Sequence, residues 1–269
     1  MVQTLVRYIK LIVDWIFDHK MLVFVYLPIG TMLAFSLYVG YIYLSWVNDR
    51  DRVLDILSRY RRLIDHTEEL REGTTYSYSD VDLSAKVVDI PTRIYDRNNE
   101  IIGEFFEEKR EIVPFNYIPP WLVKAVIATE DRDFYHHRGF NLRGMLRAML
   151  VNILHFRIVQ GGSTITQQLA KVLFTDMERS IKRKIYEIFC ALEIERRYDK
   201  PDILSMYLNL IYFGNGSYGV EAASKMFFGR SVRELDKAEC AMIVATISNP
   251  AYYSPINHLD NSVKKTKRM

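Results

Sequence analysis

Cysteine is nearly missing from this 269-residue chain: only Cys190 and Cys240 are present, both in apolar helical surroundings and neither in a CxxC or metal-ligand spacing. That argues against a disulfide framework or a thiolate metal site and leaves buried free thiols. The P-loop pattern GxxxxGK[ST] is absent, so no nucleotide is implied. Charge of one sign is not in excess, and a formal net charge of +3 makes no global case for nucleic acid. Internal repeats and low-complexity tracts are missing too. With 49% hydrophobic residues the chain can fill a substantial core. Its length suits one good-sized domain with appendages, at about 100–200 residues per domain.

One run lacks charge altogether. Residues 21–47, MLVFVYLPIGTMLAFSLYVGYIYLSWV, exceed the ~20 residues that cross a bilayer, and the tyrosines and Trp46 gather toward the far end, where amphipathic rings favour the interface. The run is too long for a signal-peptide core and no small-residue cleavage site follows, so it reads as an uncleaved anchor. In residues 1–20, Leu5, Ile9, Ile12, Val13 and Ile16 line one helical face and Arg7, Lys10, Asp14 and Asp18 the other, which suits a helix lying on the membrane surface. Arg7, Lys10 and Lys20 precede the span while Arg50, Arg52, Arg59, Arg61 and Arg62 follow it, so the positive-inside rule does not decide orientation. Residues 48–91 read as a stalk and connector: a charged helix ending at Gly73, then the polar stretch GTTYSYSDVDLSAK.

A last domain spans 92–269. In TRIYDRNNEIIGEF two apolar runs flank DRNNE, a hairpin signal, and from Pro119 onward nearly every segment has helical periodicity. The expected fold is mainly α, with a small β-hairpin preface and an N-terminal transmembrane helix.

Within ATEDRDFYHHRGFN, Glu130 falls in the apolar stripe of Val123, Val126, Ile127 and Phe134, on a helix that Pro119 and Pro120 start. Asp131 and Asp133 project to either side of that stripe. A carboxylate among apolar neighbours is either paired or raised in pKa toward the range of a general base, and this stretch alone leaves both open. VQGGSTITQQLAKVLF passes from two glycines into a helix start, with Thr164 and Gln167 at capping-box spacing. Thr164, Gln168 and Lys171 share one face, opposite Ile165, Leu169 and Val172. Such a start suits a phosphate and equally an ordinary capped helix. In ERSIKRKIYEIFCALEIERRY, Ile181, Ile185, Ile188 and Leu192 form the expected core stripe, with Arg179, Arg183 and Glu187 away from it, either as a solvated ion-pair face or as a site.

Taken together these motifs resemble the peptidoglycan glycosyltransferases, the lysozyme-like domains of monofunctional transglycosylases and bifunctional penicillin-binding proteins. EDxxFxxHxG is met by Glu130, Asp131, Phe134, His137 and Gly139, and GGSTITQQLxK runs without a gap over 161–171. RKxxE is Arg183, Lys184 and Glu187, KxxILxxYLN runs from Lys200 to Asn209, and GxxGxxxAA begins at Gly216, with Ala222 and Ala223 one residue off the pattern. The resemblance implies a lysozyme-like helical domain that polymerises lipid II into glycan strands by inverting transfer, releasing polyprenyl pyrophosphate. Glu130 would be the general base and Glu187 would assist on the donor side. Lys171, Arg179, Arg183 and Lys184 would bind phosphates, with Ser163, Gln168 and Asn209 placing substrate. Asp131, Phe134 and His137 would support the base.

The same resemblance implies no required cofactor, with room for a divalent cation, magnesium or manganese, at the pyrophosphate; no metal-ligand set can be read. It implies a single-pass protein of the bacterial inner membrane with its catalytic domain on the extracytoplasmic side and residues 1–20 cytoplasmic. Lipid II, the growing glycan strand and cell-wall synthesis proteins would be its partners. Val172 and Tyr186 depart from the asparagine and lysine common in the family, and the sequence stops inside what resembles the family's closing helix, so a truncated C-terminal end is expected. LRGMLRAMLVNILHFRIV, residues 142–159, reads either as a segment dipping into the lipid surface or as a plain amphipathic core helix. A lytic enzyme that cleaves glycan and a non-catalytic cell-wall scaffold remain the alternatives.

Overall fold

A computed structural model of the chain describes residues 7–8, 10–11, 14–15, 26–71, 92–95, 101–105, 109–157, 161–172 and 180–269. The contacts divide it into two units, Met1–Asp49 and Arg50–Met269. In the first unit the described residues of the 1–20 segment are helical and exposed. Helix α1, Leu27–Arg71, supplies the one described helix long and apolar enough to cross a membrane. Its large apolar side chains Met32, Leu33, Phe35, Leu37 and Leu44 are all exposed. The connector expected at 73–91 lies outside the described residues, as do residues 21–25 of the expected span.

In the second unit, α1 carries a buried face between residues 53 and 64. Val53, Leu57, Tyr60 and Ile64 recur at three- and four-residue steps and are buried, and Arg61 pairs with Asp202. The expected hairpin is present: β1 (Thr92–Tyr95) and β2 (Ile101–Phe105) are antiparallel, with Thr92 opposite Phe105. Helix α2 (Pro120–Glu130) starts on Pro120, with Pro119 at its cap, as the two prolines dictate. Then follow α3 (Leu142–Leu154), α4 (Ile165–Val172), α5 (Ile181–Arg197) and α6 (Lys200–Leu210). Helices α7 (Val220–Phe228), α8 (Lys237–Ile247) and α9 (Leu259–Thr266) close the chain. A small sheet is threaded among them: β3 (Lys109–Arg110) runs parallel to β5 (Ser217–Tyr218), which pairs antiparallel with β4 (Tyr212–Gly214).

The core centres on α4, which packs against both α5 and α6, while α8 packs against both α2 and α9. Ile165, Leu169, Ile194, Ile203 and Leu204 are fully buried, each worth about 1.5–3 kcal/mol in burial. Cys190 and Cys240 are free and buried, and burial pushes both thiols up, Cys240 to about 11 and Cys190 beyond. Neither is a reactive thiolate.

One expectation about a face needs correction. On α5 the buried residues are Tyr186, Glu187, Cys190, Ala191 and Ile194, whereas Ile181 of the supposed core stripe is 70% exposed. Ile185, Ile188 and Leu192 of that stripe are only partly buried. On α3, for which two readings stood open, only Ala148 is buried, and Leu142, Leu146, Met149, Leu150, Ile153 and Leu154 are all exposed. Phe156 just beyond it is exposed at 97%.

Candidate active site

Glu130 is the last residue of α2. The helix stops there because Asp131 adopts an extended backbone, φ −158°, and this turns Asp131 inward rather than to the side. Asp131 is buried, and its Oδ2 accepts from His137 Nε2 at 2.8 Å and from the Ile165 backbone N–H at 3.0 Å. Gly139 N donates to His137 Nδ1 at 3.2 Å, so the ring proton sits on Nε2 and points at Asp131. Gly139 needs its positive φ of 96°, and its carbonyl accepts from Thr164 Oγ1 at 2.6 Å. Phe134 is fully buried, in an edge-to-face contact with His137 and with the Lys200 ammonium over its ring, 4.3 Å from the ring centre. These contacts clamp the end of α2 to the start of α4.

The clamp also settles what the N-terminus of α4 does. Thr164 and Gln167 form the reciprocal bonds of a capping box, each at 3.1 Å, and Asp131 takes the Ile165 N–H. The Ile165 donor and the helix dipole serve Asp131 and the Thr164 and Gln167 donors serve the capping box, so this helix start is not an open phosphate cradle. Its outward products are two side chains, Ser163 before the helix and Gln168 within it.

Gln168 Nε2 donates to Glu130 Oε2 at 2.9 Å. Burial raises the Glu130 carboxyl above the usual carboxylate range; the Gln168 bond and the charge of Lys265 on α9 oppose that rise, and Asp131 adds to it. On α5, Glu187 is buried and holds two cations, Arg183 Nε at 3.2 Å and Lys184 Nζ at 2.8 Å. Lys184 Nζ also donates to Ser163 Oγ at 2.9 Å. Beside this second corner lies a cavity of about 550 Å³, with Met145, Met149 and Ile153 on its apolar wall and Ser163, Lys184 and Arg157 at its polar end. One short helix therefore joins a half-buried carboxyl of raised pKa to a cationic corner opening on an apolar groove.

A family model described as transglycosylase matches residues 98–269. The chain belongs to the transglycosylase family. Among curated proteins it is 45% identical over 174 residues to penicillin-binding protein 1A of Aquifex aeolicus, covering 65% of this chain and 24% of that protein. Penicillin-binding protein 4 of Bacillus subtilis is 40% identical over 178 residues, 65% of this chain and 28% of the relative. Penicillin-binding protein 1A of Escherichia coli is 42% identical over 176 residues, 65% and 21%. The chain thus spans about a quarter of the length of the curated relatives it matches. A solved structure of penicillin-binding protein 1A from Haemophilus influenzae aligns over 67% of this chain and 17% of that one, at 23% identity and a TM-score of 0.35, too distant to carry an argument.

Within the transglycosylase domain the structure brings together Glu130, Gln168 and Asp131 at one corner and Ser163, Arg183, Lys184 and Glu187 at the other. Lys171 is exposed on the last turn of α4, and Arg179 lies outside the described residues. Asn209 is not brought to either corner. It is buried, with Nδ2 donating to the Val113 and Ser205 carbonyls and Oδ1 accepting from Val113 N, so it ties the strand approach to α6. Tyr186, at the position of departure from the family pattern, is buried with the Lys182 ammonium 5.7 Å from its ring centre. Two residues near Glu130 escaped sequence reasoning: Lys265, and Tyr207, whose hydroxyl donates to Gln168 Oε1 at 3.0 Å. Tyr207 reads in sequence as one more core aromatic, and nothing in its spacing announces the bond.

Proposed function

We propose that this transglycosylase polymerises lipid II into glycan strands with inversion at the sugar carbon, releasing polyprenyl pyrophosphate. The observation that carries the reading is the pairing of a half-buried carboxyl of raised pKa with a separate Arg183–Lys184–Glu187 corner beside an apolar groove. Glu130 takes the proton of the acceptor sugar's 4-hydroxyl as that oxygen bonds to the donor's anomeric carbon. The bond from that carbon to pyrophosphate breaks on the opposite face, and the departing negative charge meets Lys184 and Arg183, joined by Lys171 and Arg179. Ser163 and Gln168 place the donor. The apolar groove and the exposed face of α3 accept the polyprenyl chain, with α3 against the lipid surface.

The apolar part of α1 anchors the chain in the bacterial inner membrane, with residues 1–20 cytoplasmic and the catalytic domain on the extracytoplasmic side, where lipid II, the growing strand and other cell-wall synthesis proteins are met. No cofactor is required. Magnesium or manganese would be held through the substrate's pyrophosphate; among the described residues there is no group of three or more His, Cys, Asp or Glu that could hold a metal. The test is lipid II polymerisation by wild type, Glu130→Gln and Glu187→Gln, each with and without a chelator. Glu130→Gln should lose at least about 100-fold. Activity within about threefold of wild type, or cleavage of finished glycan without polymer, refutes the assignment.

A further inference from the structure

Three side chains from three helices form a line that ends on Glu130. Tyr207 of α6 is fully buried, its hydroxyl donates to Gln168 Oε1 at 3.0 Å, and Gln168 Nε2 donates to Glu130 Oε2 at 2.9 Å. An ionised carboxylate only accepts hydrogen bonds, so it requires the NH2 end of the amide; a phenol hydroxyl both donates and accepts. We propose that Tyr207 is a positioning residue for the base: its hydroxyl holds the Gln168 amide with NH2 toward ionised Glu130, and accepts from that amide when it turns over after Glu130 has taken a proton. The inference rests on Glu130 being the base.

Both ends of a catalytic cycle are satisfied by this arrangement. With Glu130 ionised, the phenol feeds the amide oxygen and the amide feeds the carboxylate. With Glu130 protonated, its O–H donates to Gln168 Oε1 and the amide NH2 donates to the Tyr207 oxygen. No buried donor or acceptor is orphaned in either state, which matters where unsatisfied groups are costly. The other charged groups facing Glu130 are Asp131 on its own chain segment, which adds to the rise of its pKa, and Lys265 from α9, which opposes it. Burial and the nearby Glu130 and Asp131 hold the Tyr207 hydroxyl well above its ordinary pKa, so it stays protonated throughout.

Tyr207→Phe keeps the ring and removes only the hydroxyl. The ionised state then leaves Gln168 Oε1 without a donor, whereas the protonated state still supplies one from Glu130, with the amide NH2 over the Phe ring. Protonation becomes easier. The experiment is a carbon-13 NMR titration of glutamate carboxyls in the full chain in detergent, with Glu130→Gln identifying the signal. Tyr207→Phe should raise the Glu130 midpoint by about half to one pH unit. Gln168→Met should also raise it, and adding Tyr207→Phe to Gln168→Met should raise it no further.

Site-specific 3-fluorotyrosine at 207, a stronger donor of nearly the same shape, should lower the midpoint and stands in should the phenylalanine variant fail to fold. An unchanged midpoint in either variant, or an equal shift without Gln168, overturns the proposal. The titration needs no turnover, so full polymerisation by Glu130→Gln would reject the base assignment while leaving this result readable.

Discussion

Replacing Asp131 tests the joint between the base helix and α4 most directly. One oxygen of this 7%-exposed carboxylate receives both the His137 ring N–H and the Ile165 backbone N–H. Asparagine can put its oxygen in the same place but carries no charge. A hydrogen bond to a charged group contributes roughly 1.5–3 kcal/mol and a neutral one about 0.5–1.5, so the two bonds together lose about 2 kcal/mol. Losing the anion at the N-terminus of α4 adds about 0.3–1 kcal/mol. Alanine instead strands two buried donors at about 1–3 kcal/mol each and also loses the anion at the helix start, for roughly 2–7 kcal/mol and about 4–5 at mid-range. In a unit of the size of Arg50–Met269 each kcal/mol moves Tm by about 2–4 °C.

Thermal unfolding of the full chain in detergent, followed by circular dichroism, should therefore fall by roughly 5–10 °C for Asp131→Asn and by more than about 10 °C for Asp131→Ala. In a His137→Ala background the Asp131→Asn loss should shrink, because one of the two bonds is already gone. An alanine variant melting within about 1 °C of wild type, or above the asparagine variant, would show that the carboxylate does not hold the joint.

Burial keeps native Glu130 above the unfolded carboxyl value, so the folded state binds more protons in that window and stability falls as pH rises through it. Glu130→Gln retains an acceptor for Gln168 without the charge, so it should melt above wild type near pH ~8 and lose that advantage below pH ~4, and equal melting at both values would reject the sign. Leu150 and Ile153 are 58% and 59% exposed, so Leu150→Lys with Ile153→Lys should leave Tm nearly unchanged. The same double change should lower polymerisation of membrane-embedded lipid II by at least about tenfold if α3 meets the lipid, a loss of roughly one 1.4 kcal/mol step. Unimpaired turnover would place that face away from the bilayer.

Signals carried by the backbone or by caps were legible in the sequence. Two prolines started α2 where they should and Thr164 and Gln167 closed their capping box; of the stripe assigned to Glu130, Val126 is buried on α2 while Phe134 lies beyond the helix end. Periodicity failed where it assumed that a helix continued. Asp131 projects sideways on an unbroken helix, but the real helix ends one residue earlier and turns it inward. On α5 the isoleucines had the stronger apolar pattern, yet the fully buried face is the neighbouring one that carries Tyr186, Cys190, Ala191 and Ile194. A hydrogen bond such as that from Tyr207 depends on where three helices meet, and local pattern carries no trace of it.

The backbone at Gly139 passes so near α5 that a methyl group added there would lie 2.7 Å from the Ala191 carbonyl oxygen. Backbone atoms cannot step aside as the tip of a flexible side chain can. The gap between the loop that carries His137 and the helix that carries Glu187 is thus fixed by two main chains in contact, with no side chain between them to lengthen or trim. Gly161, with open space around its Cβ position, has no such restriction. Sequence drift can remodel the mouth of the groove one residue at a time, but the spacing behind it changes only if whole helices move together.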